Sequence, residues 1–255
     1  MKILVIGDVI GKPGRQALAR SLPEIKQQYG IDLTIVNAEN SAGGIGVTPE
    51  TATELLRFGA DVLTTGNHVW AYKDIYTLLE NGTPLLRPLN YPPGVPGKGY
   101  IIYKGVMVVN LIGRTFMGNY DDPFRTMDTL LTENAGKTRI ILVDFHAEAT
   151  SEKVALGRYL DGRVTALLGT HTHVGTIDAS VLPKGTAYVT DIGMTGPIDS
   201  IIGDDPDEVL HRFLTQLPHR LSAGKGRCTV NGIIVSIDDA TGRALSIQRI
   251  QKETD

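Results

Sequence analysis

A chain of 255 residues with a formal charge of −3 and 42% hydrophobic residues is long enough to bury a full core, and too near neutral to advertise duplex DNA or an acidic membrane surface as its partner. One cysteine, Cys228, excludes an intrachain disulfide framework and suits a reducing compartment, so a cytoplasmic protein is expected. No apolar run approaches a bilayer span, and the N-terminal "MKILVIGD" is interrupted too soon to be anything but a first strand.

In chain order, "KILVIG" (2–7) is a short apolar run ending in Gly, the pattern of a buried strand. Pro13 opens an amphipathic helix running to about Tyr29. "LTIVN" (33–37) is a second strand, and Thr48-Pro49 is a helix start with Thr48 as N-cap. "ADVLTTG" (60–66) is a third strand, and a helix over about 72–80 closes at Asn81-Gly82. This βαβαβα order predicts a parallel sheet with helical crossovers.

The Pro- and Gly-rich stretch 89–99 is a loop, and 100–113 reads as a hairpin turning at Lys104-Gly105. A helix follows near 123–134. Strands over 139–146 and 164–173 are separated by a helix that starts near Thr150. The remainder is β-rich: 187–193, then 228–239, a turn at Ala240-Thr241-Gly242, and 243–250. No repeat or linker marks a boundary. The expectation is one α/β domain, either on a mixed sheet or on two sheets packed face to face with helices outside.

The polar residues at the carboxyl ends of these strands carry the functional signal. Gly7-Asp8 ends the first, Asn37-Ala38-Glu39-Asn40 the second, Gly66-Asn67-His68 the third. His146 and Glu148 follow the strand at 139–145, and "GTHTH" (169–173) brings His171 and His173. Ligands bind at the carboxyl ends of strands in open α/β sheets, so these groups are expected along one sheet edge. Each alone has a bland reading: Asp8 as a turn aspartate, Asn67-His68 as a helix cap. Together they predict a metal site. Imidazole, carboxylate and amide oxygen suit Mn²⁺, Fe²⁺ or Zn²⁺ better than Ca²⁺. A His-X-His pair in extended chain sends its rings to opposite faces, but where the strand breaks into a loop the two rings can serve two ions. Asp8 or Glu39 is the candidate bridge. His211 and His219 read as surface residues, and Cys228 as a small buried side chain. A dinucleotide fold is excluded by the absence of G-x-G-x-x-G around Gly7, Gly11 and Gly14.

"GD" at 7–8, "GNHVW" at 66–70, "FH" at 145–146 and "GTHTH" at 169–173 resemble, in order, the blocks of calcineurin-like metallophosphoesterases. That resemblance implies a four-layer α/β/β/α sandwich of mixed sheets with a two-metal site at a sheet edge. Two departures matter. Ile10 stands where the family's first block carries a histidine, and "NAEN" replaces the second aspartate block. With "GMTGPIDSIIG" at 193–203, these resemble the YmdB-like bacterial branch over nearly the whole chain.

The resemblance implies that Asp8, Glu39, Asn40 and His173 hold one metal and that Glu39, Asn67, His146 and His171 hold the other, with Fe or Mn first and Zn third. It implies a phosphodiesterase acting on 2′,3′-cyclic nucleotides through a metal-bridging hydroxide, with His68 as general acid and a link to RNA turnover. A phosphomonoesterase, a nuclease, or a mainly regulatory metal-binding protein are the alternatives. A closed homo-oligomer would be usual.

Overall fold

The computed structural model describes residues 1–254. In chain order it contains β1 (Lys2–Ile6), β2 (Asp8–Val9), α1 (Gly11–Tyr29), β3 (Leu33–Asn37), α2 (Pro49–Arg57), β4 (Val62–Thr64) and α3 (Ile75–Glu80). The middle supplies β5 (Tyr100–Tyr103), β6 (Val106–Ile112), α4 (Pro123–Glu133), β7 (Ile140–His146), α5 (Thr150–Leu160) and β8 (Ala166–Thr170). The last part is β9 (Ser180–Val181), β10 (Ala187–Val189), β11 (Met194–Pro197), α6 (Pro206–Thr215), β12 (Cys228–Ile237) and β13 (Ala244–Thr254).

Two mixed sheets result. The first runs β2-β11-β12-β1-β3-β4, with β13 paired to β12; the second runs β5-β6-β7-β8-β10-β9. The period-two alternation of β1 decides the layering. Ile3 and Val5 face the second sheet and pack with Leu33, Ile35, Val108, Leu142 and Leu168. Leu4 and Ile6 face the other way, onto Leu18 and Leu22 of α1 and Leu55 of α2. The outer face of the second sheet, with Val109, Val143 and Phe145, is covered by Met127 and Leu130 of α4 and Leu156 and Leu160 of α5. Three apolar layers therefore separate four layers of backbone, the α/β/β/α order expected. Each fully buried aliphatic side chain in them contributes roughly 1.5–3 kcal/mol.

Local signals act as read. Thr48 caps α2 in a capping box with Thr51, and Cys228 is buried at the start of β12. Three details differ. α1 begins at Gly11, so Pro13 lies inside its first turn, where its missing N–H is still harmless. β2 and β11 are short, and pair with each other in parallel at Met194↔Asp8; two residues carry no periodic signal. The single sheet edge predicted for the site is in fact two adjoining edges. β1, β3 and β4 are parallel in one sheet, and β6, β7 and β8 in the other, so both carboxyl edges meet at one end of the sandwich.

The segment leading from the two loop histidines back into β10 is tied down by Asp178. Its carboxylate accepts from Thr176 Oγ1 at 2.6 Å, Thr190 N at 3.1 Å and Thr190 Oγ1 at 2.5 Å. Burial pushes this carboxyl up, but the hydrogen bonds from Thr176 and Thr190 outweigh it and hold it below the usual carboxylate range. A depressed acid stabilises the fold above its unfolded pKa, and that contribution is lost as pH falls through the folded value. Asp178→Asn is therefore expected to melt below wild type at pH 7, with the gap closing below about pH 4, checked by thermal melts across pH.

Candidate metal centre

The site is built where the two sheet edges meet. Four donor atoms converge on one point: His146 Nε2 lies 3.0 Å from Glu39 Oε1, 3.1 Å from Asn67 Oδ1 and 3.0 Å from His171 Nδ1. Each arrives from a different strand end: β3 for Glu39, β4 for Asn67, β7 for His146, β8 for His171. Glu39, His146 and His171 have ligand atoms within 4.8 Å of one another. Beside them lies a second group. Asp8 Oδ1 is 3.8 Å from His173 Nε2 and 3.8 Å from His146 Nδ1. His173 Nε2 in turn lies 3.0 Å from the Asn40 amide. The structure thus brings the seven residues expected to bind metal to one place, with Glu39, Asn67 and His171 around His146 and with Asp8, Asn40 and His173 beside them.

The two histidines diverge because the strand ends between them. His171 and His173 have φ of 104° and 66°, left-handed values rare for residues with a Cβ, so the chain leaves β8 sharply after Thr170. The His171 ring turns to His146, with ring centroids 4.7 Å apart, while the His173 ring turns to Asn40 and Asp8. Each is oriented from behind. His171 Nε2 lies 3.0 Å from Glu148 Oε2, and His173 Nδ1 donates to the carbonyl of Ile202 at 2.6 Å. Such contacts fix ring orientation and leave the other nitrogen for a ligand.

His146 is fully buried, and Asp144 sets its tautomer at one remove. Thr170 Oγ1 donates to Asp144 Oδ1 at 2.7 Å, so its lone pairs face His146 Nδ1 at 3.0 Å. A hydroxyl committed to a carboxylate must accept from the ring, which puts the ring proton on Nδ1 and frees Nε2 for a ligand.

The electrostatics fit a cation. Asp8 and Glu39 are fully buried carboxylates, and Asp8 Oδ1 has no hydrogen-bond partner among the described residues. Burial pushes Asp8 up, against the pull of His173 and His146. Glu39 resists the same penalty: contact with His146 and His68 holds it far below the carboxylate range. Burial disfavours a charge on His146, but Glu39, Asp8 and Asp144 together raise it to about 9. His171, buried beside that positive ring, is pushed down to about 3. A buried pair of carboxylates thus recruits a proton where a metal would otherwise neutralise it. An unpaired oxygen aimed into a mixed N/O donor set suits a borderline divalent ion such as Mn²⁺, Fe²⁺ or Zn²⁺.

Gly66 makes the approach possible. A Cβ there would lie 2.1 Å from Glu39 Oε2 and 2.4 Å from His146 Nε2. The turn that follows is held by Trp70, packed edge-on against Tyr76 and Tyr91 with centroids 5.4 Å away in both cases. His68 lies on that turn, partly exposed, with Nδ1 3.1 Å from Glu39 Oε1 and 3.0 Å from Asn40 Oδ1. Its Nε2 is left for the cavity.

That cavity, about 590 Å³, is lined by His68, Asn40, His171 and His173 among others. Part of its lining was not legible in the sequence: Arg212 from α6, then His219 and Arg220 from the loop beyond it. His219 is exposed, as expected, yet it borders the site. Neither arginine makes a side-chain hydrogen bond or ion pair among the described residues.

Comparison with known proteins gives the family. A family model described as YmdB-like protein matches residues 4–250. The chain belongs to the YmdB-like family. It is 48% identical over 254 residues to the 2′,3′-cyclic-nucleotide 2′-phosphodiesterase of Bacillus subtilis strain 168, covering 98% of this chain and 96% of that one. A protein of Thermus thermophilus superposes with a TM-score of 0.93 at 45% identity, covering all of both chains. A Mycoplasma pneumoniae protein described as a novel phosphatase superposes with a TM-score of 0.94 at 33% identity, covering 99% and 93% of the two chains. The two-sheet architecture of this YmdB-like chain is thus shared with a phosphatase. No helix among its described residues is long and apolar enough to cross a membrane.

Gly66→Ala is expected to keep the fold but displace Glu39 and His146. Elemental analysis of the purified variant should show at least one ion fewer than wild type, with the melting transition still cooperative.

Proposed function

We propose that this protein is a two-metal phosphodiesterase that opens 2′,3′-cyclic nucleotides. The observation that carries the reading is the convergence of Glu39, Asn67 and His171 on His146 Nε2 within 3.1 Å, beside the unpartnered oxygen of Asp8. The substrate class rests on the similarity to the B. subtilis enzyme of that name.

Glu39, Asn67, His146 and His171 would hold one ion; Asp8, Asn40 and His173, with Glu39 shared, would hold the other. When bound, the pair supplies Lewis-acid charge and a nucleophile available at neutral pH. His68 stands beside this group without belonging to it. Its Nδ1 is occupied by Glu39 and Asn40, so its Nε2 can carry a proton to the departing ribose oxygen, a role that typically contributes roughly 10²- to 10⁴-fold. Asn40 thereby serves two rings, holding His68 through one end of its amide and facing His173 with the other. Arg212 and Arg220, which line the same cavity, offer guanidinium groups to the phosphoryl oxygens. The reading extends to a cytoplasmic enzyme that meets cyclic phosphates left by RNA breakdown.

Purified protein loaded with Mn²⁺ should hydrolyse 2′,3′-cyclic AMP faster than p-nitrophenyl phosphate, bis-p-nitrophenyl phosphate or a short RNA. Preference for the monoester would indicate a phosphomonoesterase, and preference for RNA a nuclease. His68→Ala is expected to keep its metal while kcat falls by about 10²- to 10⁴-fold; loss of metal instead would make His68 a ligand. Arg212→Ala and Arg220→Ala are expected to raise KM several-fold with kcat changed less, measured by steady-state kinetics on the cyclic substrate.

A further inference from the structure

Lys153 is fully buried, as is Asp191, and neither belongs to the donor set. The Lys153 ammonium, carried on α5, donates to the carbonyl of Thr170 at 2.8 Å and to Asp191 Oδ2 at 2.8 Å. Asp191 Oδ2 also accepts from Thr172 N at 3.1 Å, and its Oδ1 from Gly193 N at 2.8 Å. The pair therefore grips the carbonyl just before His171 and the amide just after it. Between them, His171 N donates to Asp8 Oδ2 at 3.2 Å. Three consecutive backbone groups are held across the one residue with φ of 104°.

We infer that the buried Lys153–Asp191 pair is a positioning device that locks His171 in its left-handed conformation and so aims its ring at His146. Such a conformation persists in a non-glycine residue only where the surroundings over-determine it. A buried ion pair adds little to stability, because desolvation offsets the attraction and an uncharged replacement of both partners is often neutral. Conformational specificity is what remains for it to supply. The strand lies tight against both neighbours there: a Cβ on Gly169 would lie 1.8 Å from the carbonyl oxygen of Thr190, which demands glycine, and 3.1 Å from Lys153 Cδ beside it.

This inference rests on the metal reading above, and the test separates the two. Metal-free wild type, Lys153→Met, Asp191→Asn and the double variant are titrated with Mn²⁺ alone by calorimetry. Melting in EDTA and amide hydrogen exchange of the metal-free proteins are measured alongside. The double variant, with both charges gone, should melt cooperatively near wild type. It should exchange faster at 171–174 but not in β7 or β8, and bind Mn²⁺ about 10- to 100-fold more weakly. With Mn²⁺ restored, kcat on 2′,3′-cyclic AMP should fall while KM stays near wild type. Wild-type exchange at 171–174 together with wild-type Mn²⁺ affinity in the double variant would overturn the inference and leave the metal reading intact. Failure of the wild-type protein to bind Mn²⁺ would overturn both. Should the double variant not fold, Lys153→Met with Asp191→Leu decides. It removes both charges and fills the space with apolar side chains of similar size, so unchanged Mn²⁺ affinity there counts against the device and a several-fold loss supports it.

Discussion

The rest of the structure depends on one buried carboxylate, Asp144. It lies at the end of the inter-sheet core and accepts from Asn37 Nδ2 at 3.0 Å and Thr64 Oγ1 at 2.5 Å in one sheet, and from Thr170 Oγ1 at 2.7 Å in the other. The apolar layer between the sheets is non-directional and would tolerate sliding. A carboxylate bonded across it would not. Burial pushes Asp144 up to about 6, against the hydrogen bonds from Thr64 and Thr170 and the attraction of His146, so the position is a costly one for a carboxylate. What the position secures is register: Asn37, Thr64 and Thr170 each stand within three residues of a proposed ligand. Fixing them fixes Glu39, Asn67 and His171 relative to one another.

The metal centre is thus an edge property of a docked sandwich rather than a feature of any one element. Each sheet brings part of the set, and the Asn110 side chain adds a second tie, accepting from Thr65 N and donating to Thr65 O at 2.9 Å each. Around the donors the chain concentrates its strained backbone and its buried charge. Both are destabilising locally, and at the site they stand against layers of close-packed aliphatic side chains.

How much of this could be read from the sequence follows from how far each signal reaches along the chain. Strand-end residues were legible, because "GNHVW" and "GTHTH" place unusual groups directly after apolar runs, and the ordered set had a family counterpart. The layering was not legible from the residues, because the run "ILVI" is apolar on both faces of β1; the four-layer order came from the resemblance. The short pairing of β2 with β11 was not legible, since its partners are 186 residues apart at Met194↔Asp8 and two-residue strands have no period. Arg212, His219 and Arg220 were missed because α6 and its following loop carry them as surface-type residues, and only the tertiary fold swings them over the cavity. Lys153 was missed for a similar reason. A lysine in an amphipathic helix reads as solvent-facing, and its burial is explained only by Asp191, 38 residues later.

The position of β12 has a consequence for how the molecule comes into being. Its residues pair with β1 from Lys2↔Ser236 to Ile6↔Gly232, and on its other sides it carries β11 and β13. Until residue 236 has left the ribosome, β1 is a bare hydrophobic edge, and the strand that delivers Asp8 has no neighbour on that side. β1 must wait for a partner strand made 226 to 234 residues later. Nascent or truncated chains therefore expose an unprotected template for intermolecular pairing. Demand for chaperone protection during translation is written into the strand order itself.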